Sequence, residues 1–266
     1  MLIVGELINT SRKNIEPAVA SKDRAFIADV AKRQVEAGAA FVDVNAGTFV
    51  DEEVNLLPWL VQVVQEETNS PCSIDSANPK AIEAALAVHK GKAMVNSITL
   101  EKARYEGIVP LVAKYGCSVV ALCMDENGIP ETAQDRIRIA KTLVQRLTSD
   151  GVNRGDIYLD PLVQPVSTNS RNGVTVLETI RGITEELGAN CICGLSNVSY
   201  GLPIRPLINR TFLVLAMGAG LGAAIINPLD KKLMALLKAA EALLNRDAFC
   251  KQYLTAYRKG DLEGEK

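Results

Sequence analysis

Eight short apolar runs recur along the chain, at residues 2–5, 41–44, 72–74, 93–95, 119–124, 157–159, 191–195 and 223–226. Nearly every run is followed at once by a carboxylate or amide, the seventh by Ser196 and then Asn197: Glu6, Asn45, Asp75, Asn96, Asp125, Asp160, Ser196-Asn197 and Asn227, with Asp43 inside the second run. Short apolar runs bounded by polar or turn-forming residues have the length and composition of buried strands. Between them the apolar spacing lengthens to that of helices. Strand and helix alternating eight times in about 250 residues predicts an α/β fold, a (β/α)8 TIM barrel, whose chemistry sits where the strands end. The polar ends are therefore expected to face one shared cup.

The helices are legible. Residues 25–37 place Phe26, Ile27, Val30, Ala31 and Val35 on one stripe, with Arg24, Asp29, Lys32, Arg33 and Glu36 off it, and Gly38 ends the helix. Asn78-Pro79 is a cap followed by proline in the first helical position, and the helix continues over 81–88. Helices over 131–147 and 174–187 close at Gly151 and Gly188, and Asp230 is placed to cap a helix over 231–246. A further helical segment runs to about residue 258. The stretch 162–173 has no periodicity and is rich in Ser, Asn and Pro. Such a connection suits a lid or docking surface on the active face, and suits equally an insertion without a role. One domain over residues 1–260 is expected, with a disordered polar tail at 261–266.

Composition narrows the field. Hydrophobic residues are 48% of 266, enough for a large core, and 29 basic residues nearly balance 31 acidic ones. No Lys/Arg block points to nucleic acid or a membrane surface. The opening apolar run is too short for a signal peptide and no segment reaches membrane-spanning length, so a cytoplasmic protein is expected. Six scattered cysteines read as packing residues, although Cys191 and Cys193 share one strand face. The sole histidine, His89, ends an alanine-rich helix and reads as a helix-terminal residue, so no Ser/His/Asp triad can be assembled. Gly218-Ala219-Gly220-Leu221-Gly222 follows a helix and precedes a strand, the reverse of a dinucleotide site; a tight turn into the last strand is expected instead. A two-carboxylate glycosidase would want aromatic sugar platforms, but aromatic residues are only 5% and Trp59 falls in an outer helix.

The cup's inventory is then Glu6, Asp43, Asn45, Asp75, Asn96, Asp160, Ser196 and Asn197, with Arg205 close behind. It lacks the His and Cys ligands of a mononuclear zinc site and the phosphate cradle of a magnesium–phosphate enzyme, so no bound metal is expected. It suits a flat heterocycle with several N–H donors and ring acceptors, a pterin or a purine. An ionised Asp accepts two parallel N–H bonds, and an Asn offers both a donor and an acceptor. Any one of these residues alone could be a helix cap in a βα loop; the reading rests on the set.

Several strand-end segments match a known pattern. They are Met1-Leu2-Ile3-Val4-Gly5-Glu6-Leu7-Ile8-Asn9, Val42-Asp43-Val44-Asn45-Ala46-Gly47, Ser73-Ile74-Asp75-Ser76, Met94-Val95-Asn96-Ser97 and Tyr158-Leu159-Asp160-Pro161. The most specific is Gly194-Leu195-Ser196-Asn197-Val198-Ser199, followed by Arg205-Pro206-Leu207-Ile208-Asn209-Arg210-Thr211-Phe212. To about residue 259, the chain resembles the pterin-binding methyltransferases, and among them the methyltetrahydrofolate:corrinoid protein methyltransferases of acetogenic carbon metabolism. The resemblance implies a homodimeric TIM barrel that takes tetrahydrofolate or 5-methyltetrahydrofolate as substrate. The methyl group would be exchanged with the cobalt of a corrinoid (cobalamin) carried by a separate partner protein.

Residue by residue, the resemblance implies that Asp75, Asn96 and Asp160 hydrogen-bond the pterin. Asn197 would reach the methyl-bearing nitrogen, with Asp75 and Asn96 as its catalytic companions. Glu6, Asp43, Asn45 and Ser196 would complete the pocket, Gly194 would let the ring approach the backbone, and Arg205 would assist the pocket or the corrinoid. Tyr200 stands where the best-known relatives carry Gln, at the mouth facing the corrinoid. It would alter partner choice or stack on the macrocycle edge, and Gly201-Leu202-Pro203 after it also differs. The Asp-x-His-x-x-Gly signature of corrinoid-binding domains is absent, which places the corrinoid on another protein. The direction of flow is left open between folate demethylation and the reverse, as in anaerobic demethylation of methoxylated aromatics or methylamines. The rivals are a dihydropteroate synthase-like enzyme and a non-catalytic folate-binding scaffold. The first wants a basic cradle that Asp75-Ser76-Ala77-Asn78 and Ile226-Asn227-Pro228 do not supply; an intact Asn197 and a full pocket speak against the second.

Overall fold

The computed structural model describes residues 1–262. Its strands are β1 (Leu2–Asn9), β2 (Phe41–Asn45), β3 (Cys72–Asp75), β4 (Met94–Ile98), β5 (Ser118–Leu122), β6 (Ile157–Asp160), β7 (Asn190–Gly194) and β8 (Ala223–Ile226). All pair in parallel and in sequence order, and β8 closes on β1 from Leu2↔Ala223 to Gly5↔Ile226. The helices are α1 (Glu16–Ala20), α2 (Arg24–Glu36), α3 (Glu53–Thr68), α4 (Pro79–Val88), α5 (Lys102–Tyr115), α6 (Ala133–Ser149), α7 (Asn172–Arg181), α8 (Arg205–Gly218), α9 (Lys231–Leu243) and α10 (Lys251–Arg258). The expected TIM barrel is present.

Alternate side chains of a barrel strand point in and out. The inward set Val4, Met94, Val120, Ile192 and Ala223 packs with Leu2, Phe41, Leu122, Tyr158 and Ile225 into a plug. The outward set, including Val42, Val44, Ile74, Val95, Val119, Leu159, Cys191 and Cys193, is buried in the larger core with the helices. By the same parity Glu6, Asp43, Asp75, Asn96, Asp160 and Gly194 fall on the inner face above the plug. Apolar side chains fill the barrel from below, so polar chemistry is left to the upper end.

β1 needs a special device to deliver Glu6. Its register with β2 jumps from Gly5↔Val42 to Ile8↔Val44, a bulge that leaves two residues opposite one. Gln34, fully buried on α2, reaches in so that its Oε1 accepts the Leu7 N–H at 2.9 Å. A Cβ on residue 5 would lie 2.5 Å from that oxygen, so only glycine lets α2 come this close.

Boundaries shift where tertiary contacts compete. The helix expected over 131–147 begins at Ala133, because Thr132 caps it by accepting the Asp135 N–H at 3.1 Å. The single helix expected over 174–187 divides into α7 and a π-helical turn, Gly182–Glu186, where Leu187 N–H bonds back to Gly182 O. Asp230 caps α9 as expected, but the helix stops at Leu243 rather than 246. Arg246 is used elsewhere, donating to the carbonyls of Leu221 at 2.8 Å and Met217 at 3.2 Å. β7 ends at Gly194, and Leu195–Ser199 forms a 3-10 turn instead of extending the strand.

Five cysteines are buried and Cys250 is exposed; burial pushes the thiol pKa of Cys123, Cys191 and Cys193 upward, as packing residues require. His89 follows α4 and its Nε2 accepts the Cys72 N–H at 3.0 Å, with burial lowering its pKa. Of the expected tail, Asp261 and Leu262 continue a turn, and 263–266 lie outside the described residues. Among the described residues no helix is long and apolar enough to cross a membrane.

Candidate active site

Above the plug lies a cavity of about 690 Å3. Its wall brings together Glu6, Asp43, Asp75, Asn96, Asp160, Gly194, Ser196 and Arg205. Asn45 stands one side chain back, donating to Asp75 Oδ2 at 3.0 Å and lining an adjoining depression with Arg104. Asn197 and Tyr200 are exposed and lie outside the cavity wall. The Asn197 amide donates to Val163 O, and the Tyr200 ring lies 5.8 Å below the Arg205 guanidinium. Asp125 is not brought to the cup at all; it closes a turn by accepting the Asn127 N–H at 2.9 Å. Asn227 does both, lining the cup while accepting the Leu229 N–H at 2.9 Å.

Carboxylates gathered above an apolar plug are poorly hydrated and repel one another. Asp43 is 3% exposed and accepts from Ser73 Oγ at 2.6 Å and Asn96 Nδ2 at 3.2 Å. Burial first, then the charge of Asp75, holds its pKa well above the ordinary carboxylate value. Burial pushes Asp75 up to about 6, partly offset by the Asn45 hydrogen bond and the Arg104 cation. Asp160 is likewise raised to about 6 by burial, against the N–H groups of Leu162 and Gly194 and the Arg136 cation. At neutral pH Asp75 and Asp160 are ionised, and a charged carboxylate binds the N–H groups of a ligand strongly.

Arg12, Arg104 and Asn209 were not legible as site residues. Glu6 accepts from Arg12 Nη2 at 2.8 Å and from Ser196 Oγ at 3.1 Å on both oxygens, while Arg205 Nη2 donates to Ser196 O at 2.7 Å. The loops after β1 and β7 are thereby cross-linked over the cup. Arg12 has one sequence signal, a cation just past the end of β1. Arg104, on α5, donates to Ser97 O at 3.0 Å and Ser97 Oγ at 3.1 Å, and nothing in its surrounding sequence marks it. Asn209, on α8, also lines the cavity, while its Oδ1 is buried and has no hydrogen-bond partner among the described residues. Among the described residues no group of three His, Cys, Asp or Glu side chains is placed to share a metal ion.

A barrel with this floor falls in a definite class: residues 5–227 match the family described as pterin binding enzyme, and the chain belongs to it. A relative named methylcorrinoid:tetrahydrofolate methyltransferase, from Eubacterium limosum, is 34% identical over 265 residues, covering 98% of both chains. The methionine synthase of Mycobacterium tuberculosis is 30% identical over an alignment of 241 residues, which covers 85% of this chain but only 20% of that longer protein. Among solved structures, dihydropteroate synthase from Xanthomonas albilineans in complex with 7,8-dihydropteroate superimposes with a TM-score of 0.69 at 20% identity, over 93% of this chain and 94% of that one. The dihydropteroate synthase of Thermus thermophilus gives a TM-score of 0.64 at 20% identity, over 92% of each chain. At that identity the likeness is one of fold.

Proposed function

We propose that this protein transfers a methyl group between tetrahydrofolate and the cobalt of a corrinoid held by a separate protein. The observation that carries the reading is the convergence of Asp75, Asn96 and Asp160 on one cavity in a chain that matches a methylcorrinoid:tetrahydrofolate methyltransferase over 98% of both lengths. Under this reading Asp75 and Asp160 accept the N–H groups of the pterin edge. Asn96, held by Asp43, completes its recognition. Gly194 has no protein atom within 4 Å of where a Cβ would stand, which leaves room for the ring to lie on the backbone. Glu6, Ser196 and Arg205 form one hydrogen-bonded wall that keeps the cup's shape.

The corrinoid, presented by its carrier, supplies a cobalt centre that can give up or accept the methyl group. When folate is demethylated the N–CH3 bond breaks, its electron pair stays on nitrogen, and a proton takes the methyl group's place. In the opposite sense the nitrogen lone pair forms the new bond and a proton is released. Asn197 stands at the rim with its amide donating to the Val163 carbonyl; under this reading, rotation of the side chain would bring it to the nitrogen whose charge changes. A hydrogen bond that strengthens as that charge develops favours the transition state over the ground state. The proton travels through solvent or through the network of Asp75, Asn96 and Asn197. Tyr200, exposed beside Arg205, is proposed to meet the corrinoid edge.

The same protein serves both directions of a reversible transfer; the name of the Eubacterium limosum relative favours methylcorrinoid to tetrahydrofolate as the physiological one. We place the protein in the cytoplasm, as one domain over 1–260 and as a homodimer. Exposed Val174, Leu207 and Leu215 on α7 and α8 support a face for the second copy. The site is proposed to work without a metal of its own, since it offers neither the His and Cys donors of a zinc site nor the phosphate cradle of a magnesium–phosphate enzyme. A dihydropteroate synthase reading is disfavoured because the cations of the wall, Arg12 and Arg205, are already engaged by Glu6 and the Ser196 carbonyl. The test mixes purified protein with 5-methyltetrahydrofolate and chemically reduced cobalamin and follows the methylcobalamin spectrum, then runs methylcobalamin with tetrahydrofolate. No transfer above the protein-free rate in either direction would refute the proposal.

A further inference from the structure

Arg136 lies on the inner side of α6 and is 1% exposed. All its hydrogen bonds go to neutral oxygens: Nε to Pro130 O at 2.9 Å, Nη1 to Pro161 O and Leu162 O at 2.8 Å each, and Nη2 to Gln164 Oε1 at 2.9 Å. A buried cation without an ion-pair partner in contact is costly, and an apolar side chain of like volume would pack there at less cost. The geometry therefore asks what the guanidinium holds. Three of its four acceptors belong to residues 161–164, the segment that leaves β6.

That segment touches two candidate site residues. Leu162 N–H donates to Asp160 Oδ1, 2.7 Å away, and the residue sits in the left-handed region at φ +64, unfavourable for a leucine, so the chain turns sharply just after that bond. The next carbonyl, Val163 O, accepts the Asn197 amide. Farther on, Val166 N–H bonds to Val198 O at 3.0 Å and ties the segment to the loop after β7. Leu162 and Val163 are both buried. Among the described residues, the forked guanidinium alone reaches both the Pro161 and Leu162 carbonyls and the Gln164 side chain. A lysine has a single ammonium and cannot reproduce that fork.

We infer that Arg136 is a positioning residue for the substrate site: from within α6 it fixes the segment after β6 that orients Asp160 and Asn197. The inference rests on the proposed folate reading for the identity of the ligand, but the clamp itself can be tested without one. The experiment compares wild type, Arg136→Lys, Gln164→Ala and a control, Leu143→Ala, which removes buried volume from the same helix away from the clamp. Hydrogen–deuterium exchange of peptides covering 161–166 is measured on the ligand-free full chain, and tetrahydrofolate affinity by calorimetry.

In Arg136→Lys, exchange across 161–166 is expected to quicken at least tenfold and the Kd for tetrahydrofolate to weaken at least tenfold. Gln164→Ala should move both readouts the same way by two- to fivefold. Leu143→Ala should lower Tm yet leave both within twofold of wild type. Exchange in Arg136→Lys no faster than in the control, or quickened exchange with unchanged affinity, would overturn the inference. If Arg136→Lys does not fold, Gln164→Ala decides by the same two readouts. A wild type that takes up no tetrahydrofolate would end the folate reading, while the exchange comparison would still decide whether Arg136 holds the segment.

Discussion

Asp75 ionises reluctantly because its carboxylate has given up bulk water for one amide and a guanidinium that does not touch it. Its folded pKa, about 6, lies above that of an unfolded aspartate. The unfolded chain therefore loses its proton first as pH rises, and the folded state is penalised from roughly pH 4 upward, fully above about 6. Asp75→Asn removes the penalty and keeps an oxygen for the Asn45 amide. Because the side chain borders the open cavity, the gain is on the order of 2 kcal/mol rather than the full shift. Denaturation should show the variant more stable than wild type at pH 8, with the advantage gone near pH 4, while its folate affinity falls. Asn197 makes the opposite case, an exposed residue expected to matter in the chemical step. Asn197→Ala should lower turnover about 30- to 1,000-fold, equivalent to about 2–4 kcal/mol, with a much smaller change in folate Kd. Collapsed binding with normal turnover of bound substrate would contradict that role. The type and place of both residues were legible at strand ends. That Asp43 and Asp75 crowd one another, and that Asn197 stands on the rim outside the cavity wall, was not, because these depend on which strands are neighbours and on how the chain turns after β7.

At the level of elements, β1 shows how a packed helix sets the position of a candidate site residue, Glu6. The bulge between Gly5 and Ile8 frees the Leu7 N–H, Gln34 from α2 satisfies it, and Gly5 leaves room for Gln34. Gly5→Ala forces Gln34 to move or the bulge to reset, at about 1–3 kcal/mol. Thermal denaturation should show a Tm several degrees lower, and folate affinity should fall with it because Glu6 follows the bulge. An unchanged Tm would mean that Gln34 yields freely. Periodicity predicted strands and helices well where one face is apolar, and the caps at Asn78 and Asp230 were readable from side-chain chemistry. It failed at 174–187 and 231–246, where a π-helical turn and a long-range use of Arg246 by α8 and its following turn override local propensity. The aperiodic stretch 162–173 gave no sign of the buried arginine that anchors it, because that residue lies on a different helix.

For the whole molecule, two acids of the cup titrate in the same range. Asp75 and Asp160 each have a pKa of about 6, raised first of all by burial, and both are proposed to bind the pterin in ionised form. Folate affinity should therefore be flat above about pH 7 and weaken as pH falls through 6, by up to tenfold per unit for each carboxylate that must ionise. Calorimetry between pH 5 and 8 measures this, and an affinity that rises on acidification would mean that the acids bind as neutral donors. The sequence by itself determined the eight alternations, the polar residue (in seven of eight an acid or amide) at the end of each run and the pterin-type inventory, because strand parity and polar punctuation are local properties of the chain. Only the tertiary structure decided which of those ends share one cavity, which, like Asp125, merely close a turn, and which distant side chains hold the rest in place. Those outcomes depend on barrel closure and on contacts across more than a hundred residues, as between Glu6 and Ser196, and no local pattern encodes them.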